Sequence, residues 1–218
     1  MQGEVIHLGD HAVRLLLPTS YEREGVRRYP LLLVLESTLD AGAWSEMLHA
    51  EGVLPEVIVA TMQGKVFNPT DTLLVLSRQL RLLEAPAARW IIGTAHTAVM
   101  AMNAVFDHPQ IFGKGVFLST SFEGVEGAPP LHSKILRSLE ERSSLPSREG
   151  ESRLFFDYGT VGLDECYEPY HRDLGGILRD KGWKQGREFE ITRAVRGTHD
   201  AASWNARLGP ALRWLATH

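Results

Sequence analysis

The sequence predicts an α/β fold of three layers, in which helices cover both faces of a mostly parallel central sheet with an antiparallel N-terminal edge. Three observations lead to this prediction. Short apolar runs typical of buried strands alternate with segments of helical periodicity along most of the 218 residues. The first two strand-like runs have no helix between them, which indicates an antiparallel pair. The length suits one domain over residues 1–218, without a lid domain.

The N-terminal half alternates strands with helices after an initial hairpin. The predicted elements are strands at 4–8, 12–18 and 29–37, a helix at 40–52, a strand at 55–62, a helix at 70–85, a strand at 88–95 and a helix at 96–106. Asp40 is a predicted N-cap of the first helix, an Asp or Thr start is expected for the second, and Pro109 ends the third.

The C-terminal half continues the alternation. Its predicted elements are a strand at 113–120, a helix at 131–143, a strand at 153–159, a helix at 165–181, a strand at 187–195 and a helix at 200–218 that bends or restarts near Gly209 and Pro210. Ligands of open parallel sheets bind at the carboxyl ends of the strands. We therefore expect a site to be lined by the loops after residues 36, 62, 94, 120, 159 and 196.

Composition argues against several classes of protein, among them nucleic-acid-binding and membrane-spanning proteins. The formal net charge is −4 and no run of Lys and Arg exceeds two residues, which argues against nucleic-acid binding. A single cysteine, Cys166, excludes a disulfide within the chain and disfavours a cysteine-based metal site. The N-terminus lacks the pattern of a signal peptide, and no apolar stretch is long enough to span a membrane. We expect a cytoplasmic protein with no membrane partner and no cofactor or metal.

A possible nucleophile elbow lies at Gly93-Thr94-Ala95-His96-Thr97-Ala98. Hydrolases with the G-x-S-x-G motif carry a serine where a strand turns sharply into a helix, and small flanking residues permit the strained backbone. Here the residue two after Gly93 is Ala95, which has no nucleophilic atom, and Thr97 replaces the second glycine. A plain structural turn is the alternative, since strand-glycine-helix turns are common in α/β folds.

An acid and a histidine follow later strands in the order that hydrolase triads require. His199 lies between a predicted strand and the last helix, where a general base could reach the sheet edge. Asp164 and Glu165 follow the strand that ends at Gly159, and either acid could orient this histidine. The alternatives are a surface histidine and an Asp164 that only caps the next helix.

The chain resembles the putative-esterase branch of the α/β-hydrolases, which includes enterochelin esterases, esterase D and feruloyl esterases. The most specific segment is "GTHDAASWNARLGPALRWL", a G-x-H pattern followed by a tryptophan-bearing helix. The resemblance extends over most of the chain through "VRLLLPTSYEREGVRRYPLLLVLES", "VIVATM", "RWIIGTAHTAVMAMNAVFDHPQIFGKGVFLSTSF" and "FFDYGTVGLDECYEPYHRDLGGILRDKGW". It implies an α/β-hydrolase fold and a Ser-His-acid carboxyl esterase that needs no metal.

Carried onto this sequence, the resemblance places the base at His199, the acid at Asp164 or alternatively Glu165, and the nucleophile position at Ala95. The backbone N–H of His96 would be one oxyanion donor. The family has histidine and glycine after its first buried strand, where this chain has Glu36 and Ser37.

These departures predict a relaxed site. The changes at residues 36, 95, 97 and 98 favour a pseudo-esterase with a binding or regulatory role over an active enzyme. The alternative is an active carboxylic-ester hydrolase, either a serine esterase in which Ala95 is an engineered substitution or an enzyme that uses another group. Its ligand would be a small ester or carboxylate. Other candidate nucleophiles are Thr94, Thr97, His96, Ser119, Ser121 and Cys166, and candidate lining residues are Phe67, Phe122, Tyr158 and Trp204.

Overall fold

The chain forms an eight-stranded sheet, seen in a computed structural model that describes residues 2–8, 11–36, 38–62, 67–122, 133–145 and 152–217. The strand order across the sheet is β1-β2-β4-β3-β5-β6-β7-β8. The strands are β1 (Gln2–Leu8), β2 (His11–Leu17), β3 (Leu31–Val34), β4 (Ile58–Met62), β5 (Arg89–Thr94), β6 (Lys114–Leu118), β7 (Arg153–Gly159) and β8 (Phe189–Ala194).

The sheet is parallel from β4 through β8 and antiparallel at one edge. Strand β1 pairs antiparallel with β2, which pairs antiparallel with β4. All remaining pairs are parallel, which confirms the predicted fold class. The carboxyl ends of β3, β5, β6, β7 and β8 therefore meet at one edge of the sheet, where sequence reasoning placed the site.

Helices cover the two faces, and each face has its own apolar core. The helices are α1 (Ala41–Ala50), α2 (Pro69–Gln79), α3 (Ala95–Asp107), α4 (Lys134–Glu141), α5 (Glu168–Asp180) and α6 (Ala201–Ala216). Side chains alternate along β3, so Leu31 and Leu33 pack with α2 to α5. Leu32 and Val34 pack with α1 and α6 on the opposite face. The three predicted layers are thus present.

Three helix predictions differ from the structure. The second helix ends at Gln79 and is capped by Asn68, whose side chain accepts the N–H groups of Thr70 and Asp71. The segment after β7 first forms a 3-10 helix, Gly162–Tyr167. Pro169 then stands in the first turn of α5, a position that suits its fixed φ.

The last helix does not restart. Pro210 lies inside an uninterrupted α6 and is exposed. Leu208, Leu212 and Leu215 are buried against the sheet, and this packing holds the helix together across the missing N–H of the proline. The predicted cap of α1 is confirmed, since the Asp40 side chain accepts the N–H of Ala43 at 3.2 Å. No helix in the described ranges is long and apolar enough to cross a membrane.

Candidate active site

The turn from β5 into α3 has the backbone of a nucleophile elbow. Ala95 adopts φ +47°, in the left-handed region that residues with a side chain rarely occupy. Gly93 permits the close approach of the helix, because a Cβ at this residue would lie 2.3 Å from the Thr97 carbonyl oxygen. The Thr97 hydroxyl accepts the N–H of Thr94 at 2.9 Å and donates to the Thr94 carbonyl at 2.8 Å. The threonine in place of the second glycine therefore fastens the elbow.

The first turn of α3 and the carboxylate of Glu36 flank Ala95. His96 is the second residue of α3, and the first N–H groups of a helix have no intrahelical acceptor. Its imidazole is exposed. Glu36 is half-buried on the neighbouring strand end, where its carboxylate accepts the Thr38 N–H at 3.2 Å and the Thr94 hydroxyl at 3.4 Å. The predicted contribution of Ser37 falls outside the described residues.

The structure brings Asp164 and His199 together. Asp164 is fully buried in the 3-10 helix, and its Oδ1 lies 2.6 Å from His199 Nδ1. Its Oδ2 accepts the Gly159 N–H at 2.7 Å and the Ser119 hydroxyl at 2.5 Å. Burial alone would raise the pKa of Asp164, but the hydrogen bonds from His199, Ser119 and Gly159 outweigh it, and the pKa lies below its ordinary value. An ionised Asp164 orients Nδ1–H toward itself, which leaves Nε2 as the basic nitrogen.

Two glycines join the loops that carry the acid and the histidine. The Gly197 carbonyl accepts the N–H groups of Thr160 at 3.0 Å and Val161 at 3.1 Å. A Cβ at Gly159 would lie 2.2 Å from the Gly197 oxygen. The loop after β7 and the loop after β8 can therefore touch only because residue 159 is glycine, and this contact sets the spacing between Asp164 and His199.

A buried network of polar side chains holds the serine that donates to Asp164. The Ser119 hydroxyl, which donates to Asp164, accepts Trp204 Nε1–H at 3.0 Å and Arg207 Nη2–H at 2.9 Å. Arg207 Nη1 also lies 3.2 Å from Asp157 Oδ1. Burial raises the pKa of Asp157 to about 7 against the opposing attraction of Arg207. Arg207 thus links the strand β7 carboxylate to the serine that holds Asp164.

Side chains after β6 connect the elbow to His199. The Ser121 N–H donates to the Ala95 carbonyl at 3.2 Å, and the Ser121 hydroxyl lies 3.1 Å from the Tyr167 hydroxyl. The ring of Tyr167 meets that of His199 edge-on at a centroid distance of 5.8 Å. The Trp204 ring also meets the imidazole edge-on, at a centroid distance of 5.0 Å. A chain of contacts through Ser121 and Tyr167 therefore links Ala95 to His199.

Several predicted residues lie elsewhere. Glu165 is exposed, and the acid that contacts His199 is Asp164, whose side chain does not cap α5. Phe122 and Tyr158 are buried in the core, and Phe67 packs against that core, so these rings are not placed as crevice walls. Cys166 is exposed, and its thiol donates to the Leu163 carbonyl. The loop after residue 62 begins with residues outside the described ranges.

Sequence reasoning missed the supporting residues Arg207, Gly197 and Tyr167 and gave Ser119 no special role. Trp204 and Arg207 are three residues apart on α6 and so share a helix face, which was the available signal. Nothing in the sequence indicated that this face meets Ser119. Among the described residues, no group of three His, Cys, Asp or Glu side chains could hold a metal ion.

Comparison with known proteins gives matches among solved structures. A ferulic acid esterase superposes with a TM-score of 0.77 at 16% identity, over 99% of this chain and 99% of that one. An S-formylglutathione hydrolase from Staphylococcus aureus gives 0.69 at 12% identity, over 99% and 96%. An enterobactin esterase from Shigella flexneri, solved with 2,3-di-hydroxy-N-benzoyl-glycine, gives 0.71 at 14% identity, and this chain spans 59% of its length. No family model and no curated protein matches the chain. The chain has the α/β-hydrolase fold of these esterases.

Proposed function

We propose that this chain is a catalytically silent esterase homologue that binds a small carboxylic ester at the carboxyl edge of its sheet. The observation that supports this proposal is the presence of Ala95 on a left-handed elbow in the same chain as an assembled Asp164–His199 pair. A methyl group cannot attack a carbonyl, whatever the histidine does. A binding or regulatory role follows from a site that keeps its left-handed elbow and its acid–histidine pair without a nucleophile.

The other hydroxyl groups near the elbow do not replace the missing one. The Ser119 hydroxyl is fully buried between Asp164, Trp204 and Arg207. The hydroxyls of Thr94 and Thr97 bond to Glu36 and to the elbow backbone. Among the described hydroxyls that leaves the half-buried Ser121, whose hydroxyl contacts that of Tyr167 rather than a general base. None of these groups is both accessible and paired with a general base, as covalent catalysis requires.

Ester binding is supported by the groups that remain. The N-terminus of α3 presents N–H donors and the positive end of a 13-residue helix to a carbonyl oxygen. His199 Nε2 offers a second polar contact, and the ring of Trp204 provides apolar surface next to it. These features orient a ligand without changing it.

The decisive experiment compares hydrolysis of p-nitrophenyl acetate by the unmodified chain and by Ala95→Ser. In serine hydrolases, loss of the nucleophile lowers kcat by as much as about 10⁶-fold, and the rest of the site retains roughly 10³–10⁴-fold acceleration over water. We expect the serine variant to exceed the unmodified chain by about 10³-fold or more, with a burst of p-nitrophenol. Adding His199→Ala should abolish the gain.

Two outcomes of this comparison and one binding measurement distinguish a silent binding protein from an active hydrolase. Turnover by the unmodified chain that is lost in Ser121→Ala or in His199→Ala would overturn the proposal in favour of an active hydrolase. A folded Ala95→Ser variant without turnover would show that His199 and the oxyanion donors are out of register. Binding is measured separately, by ¹H–¹⁵N NMR titration of the unmodified chain with ethyl 2-methylpropanoate. Absence of saturable shifts at the amide of His96, both with this neutral ester and with an ester that carries an ammonium group, would overturn the binding role.

A further inference from the structure

Glu36 contacts Thr94, the residue that immediately precedes Ala95. In the parallel register of β3 and β5, Val34 lies opposite Ile92, and two more residues bring Glu36 opposite Thr94. The hydrogen bond from the Thr94 hydroxyl to Glu36 Oε2 at 3.4 Å agrees with that register. Thr94 immediately precedes Ala95, so the carboxylate of Glu36 lies beside the elbow.

The Glu36 carboxylate projects toward the face of the sheet that α6 covers. Val34 and Ile92 pack with α1 and α6, and side chains two residues further along a strand point to the same side. Glu36 and Thr94 therefore project toward the face covered by α6, whose N-terminus directly follows His199. A ligand held between the elbow and His199 would have Glu36 along its side.

Among the residues that the structure describes, no cationic side chain is paired with the Glu36 carboxylate. Within the described ranges, the groups that donate to Glu36 are the N–H of Thr38 and the hydroxyl of Thr94, and both are neutral. A half-buried carboxylate with neutral donors repels a developing oxyanion and attracts a cation. The same group that opposes ester hydrolysis is thus suited to hold a positively charged ligand.

We infer that the site selects esters that carry an ammonium group two bonds from the carbonyl carbon, as in α-amino acid esters, and that Glu36 is the residue that recognises this group. The inference rests on the proposed function, since it assigns a substrate class to that site. The elbow N–H groups hold the carbonyl oxygen, and Glu36 pairs with the ammonium beside it. A free carboxylate would suffer repulsion from Glu36 in the same position.

Two ligands of nearly equal shape test the charge selection. Alanine ethyl ester, at a pH that keeps its amine protonated, is compared with ethyl 2-methylpropanoate, in which a methyl group replaces the ammonium. Dissociation constants are measured by NMR titration of the unmodified chain and of Glu36→Gln. We expect the cationic ester to bind roughly two- to fivefold more tightly to the unmodified chain, in line with a partly exposed ion pair. Glu36→Gln should abolish this preference.

Glu165→Gln is the matched control. It removes the same charge from an exposed residue next to Asp164 and should leave the preference intact. Raising the salt concentration in the unmodified chain should also reduce the preference, which provides a test that needs no variant. Equal binding of the two esters, or a preference that survives Glu36→Gln, would overturn the charge selection alone. Saturation by neither ester would overturn the proposed binding function itself.

Discussion

Replacing Ala95 with glycine measures the strain that the elbow retains without a catalytic side chain. A left-handed conformation costs a residue with a Cβ roughly 1–2 kcal/mol, and Ala95 adopts φ +47°. Glycine avoids that cost but loses about 0.5–1 kcal/mol through its greater freedom in the unfolded chain. The difference predicts that Ala95→Gly stabilises the protein by about 0.5–1 kcal/mol.

Urea unfolding at 25 °C provides the assay, with two reference variants. Ala206 is exposed in the regular helix α6, so Ala206→Gly should destabilise by roughly 0.5–1 kcal/mol. Arg196 is exposed at φ +63°, and its N–H donates to Thr160 Oγ1. Because glycine keeps that backbone bond, Arg196→Gly should stabilise as Ala95→Gly does.

The sign of the change decides the outcome. If Ala95→Gly and Ala206→Gly destabilise equally while Arg196→Gly stabilises, residue 95 is an ordinary helical position and the elbow geometry is refuted. Since the left-handed turn is what would present a serine hydroxyl to His199, that result would also remove the basis for restoring activity with Ala95→Ser.

Two further predictions concern buried charge. Arg207→Met removes the ion-pair partner of buried Asp157 together with the hydrogen bonds from Arg207 to Ser119 and the Thr198 carbonyl, and should lower the unfolding free energy by about 3–5 kcal/mol. Adding Asp157→Asn should recover part of this loss, and additive losses in urea unfolding would contradict the coupling. Burial lowers the pKa of His171 to about 4, so the unfolded chain binds an extra proton between that value and about 6.5. Acidification through this window should therefore destabilise the unmodified chain relative to His171→Phe, by at most about 1.4 kcal/mol per pH unit, whereas parallel stability–pH curves would refute the assignment.

The buried strands could be predicted from the sequence, because a strand that is buried on both faces is a continuous apolar run. Residues 31–34 are all apolar, and the structure divides them between two cores. Helix ends were less predictable, because local and tertiary signals compete. The 3-10 helix at Gly162–Tyr167 could not be foreseen, since Asp164 and Glu165 suit a helix start equally well. Its geometry is set by contacts of Asp164 with residues far away in sequence.

The order of elbow, acid and histidine was visible in the sequence, but their support was not. In the sequence Gly197 is visible only as the glycine of the G-x-H pattern, whereas in the structure its carbonyl joins the loops that carry Asp164 and His199. The Arg207–Ser119 contact spans 88 residues and depends on how α6 packs against β6. Such contacts have no local signature, because they arise only when the sheet order is fixed.

The acid and the nucleophile position differ in how firmly the fold depends on them. Asp164 is buried and accepts hydrogen bonds from Gly159, Ser119 and His199, so its loss would leave buried donors unpaired at a cost of about 1–3 kcal/mol each. The elbow at Ala95 is built from backbone bonds, Gly93 and Thr97, none of which requires a hydroxyl at residue 95. Stability alone can therefore maintain the acid–histidine pair in a chain that performs no chemistry. The presence of that pair alone is thus no measure of activity.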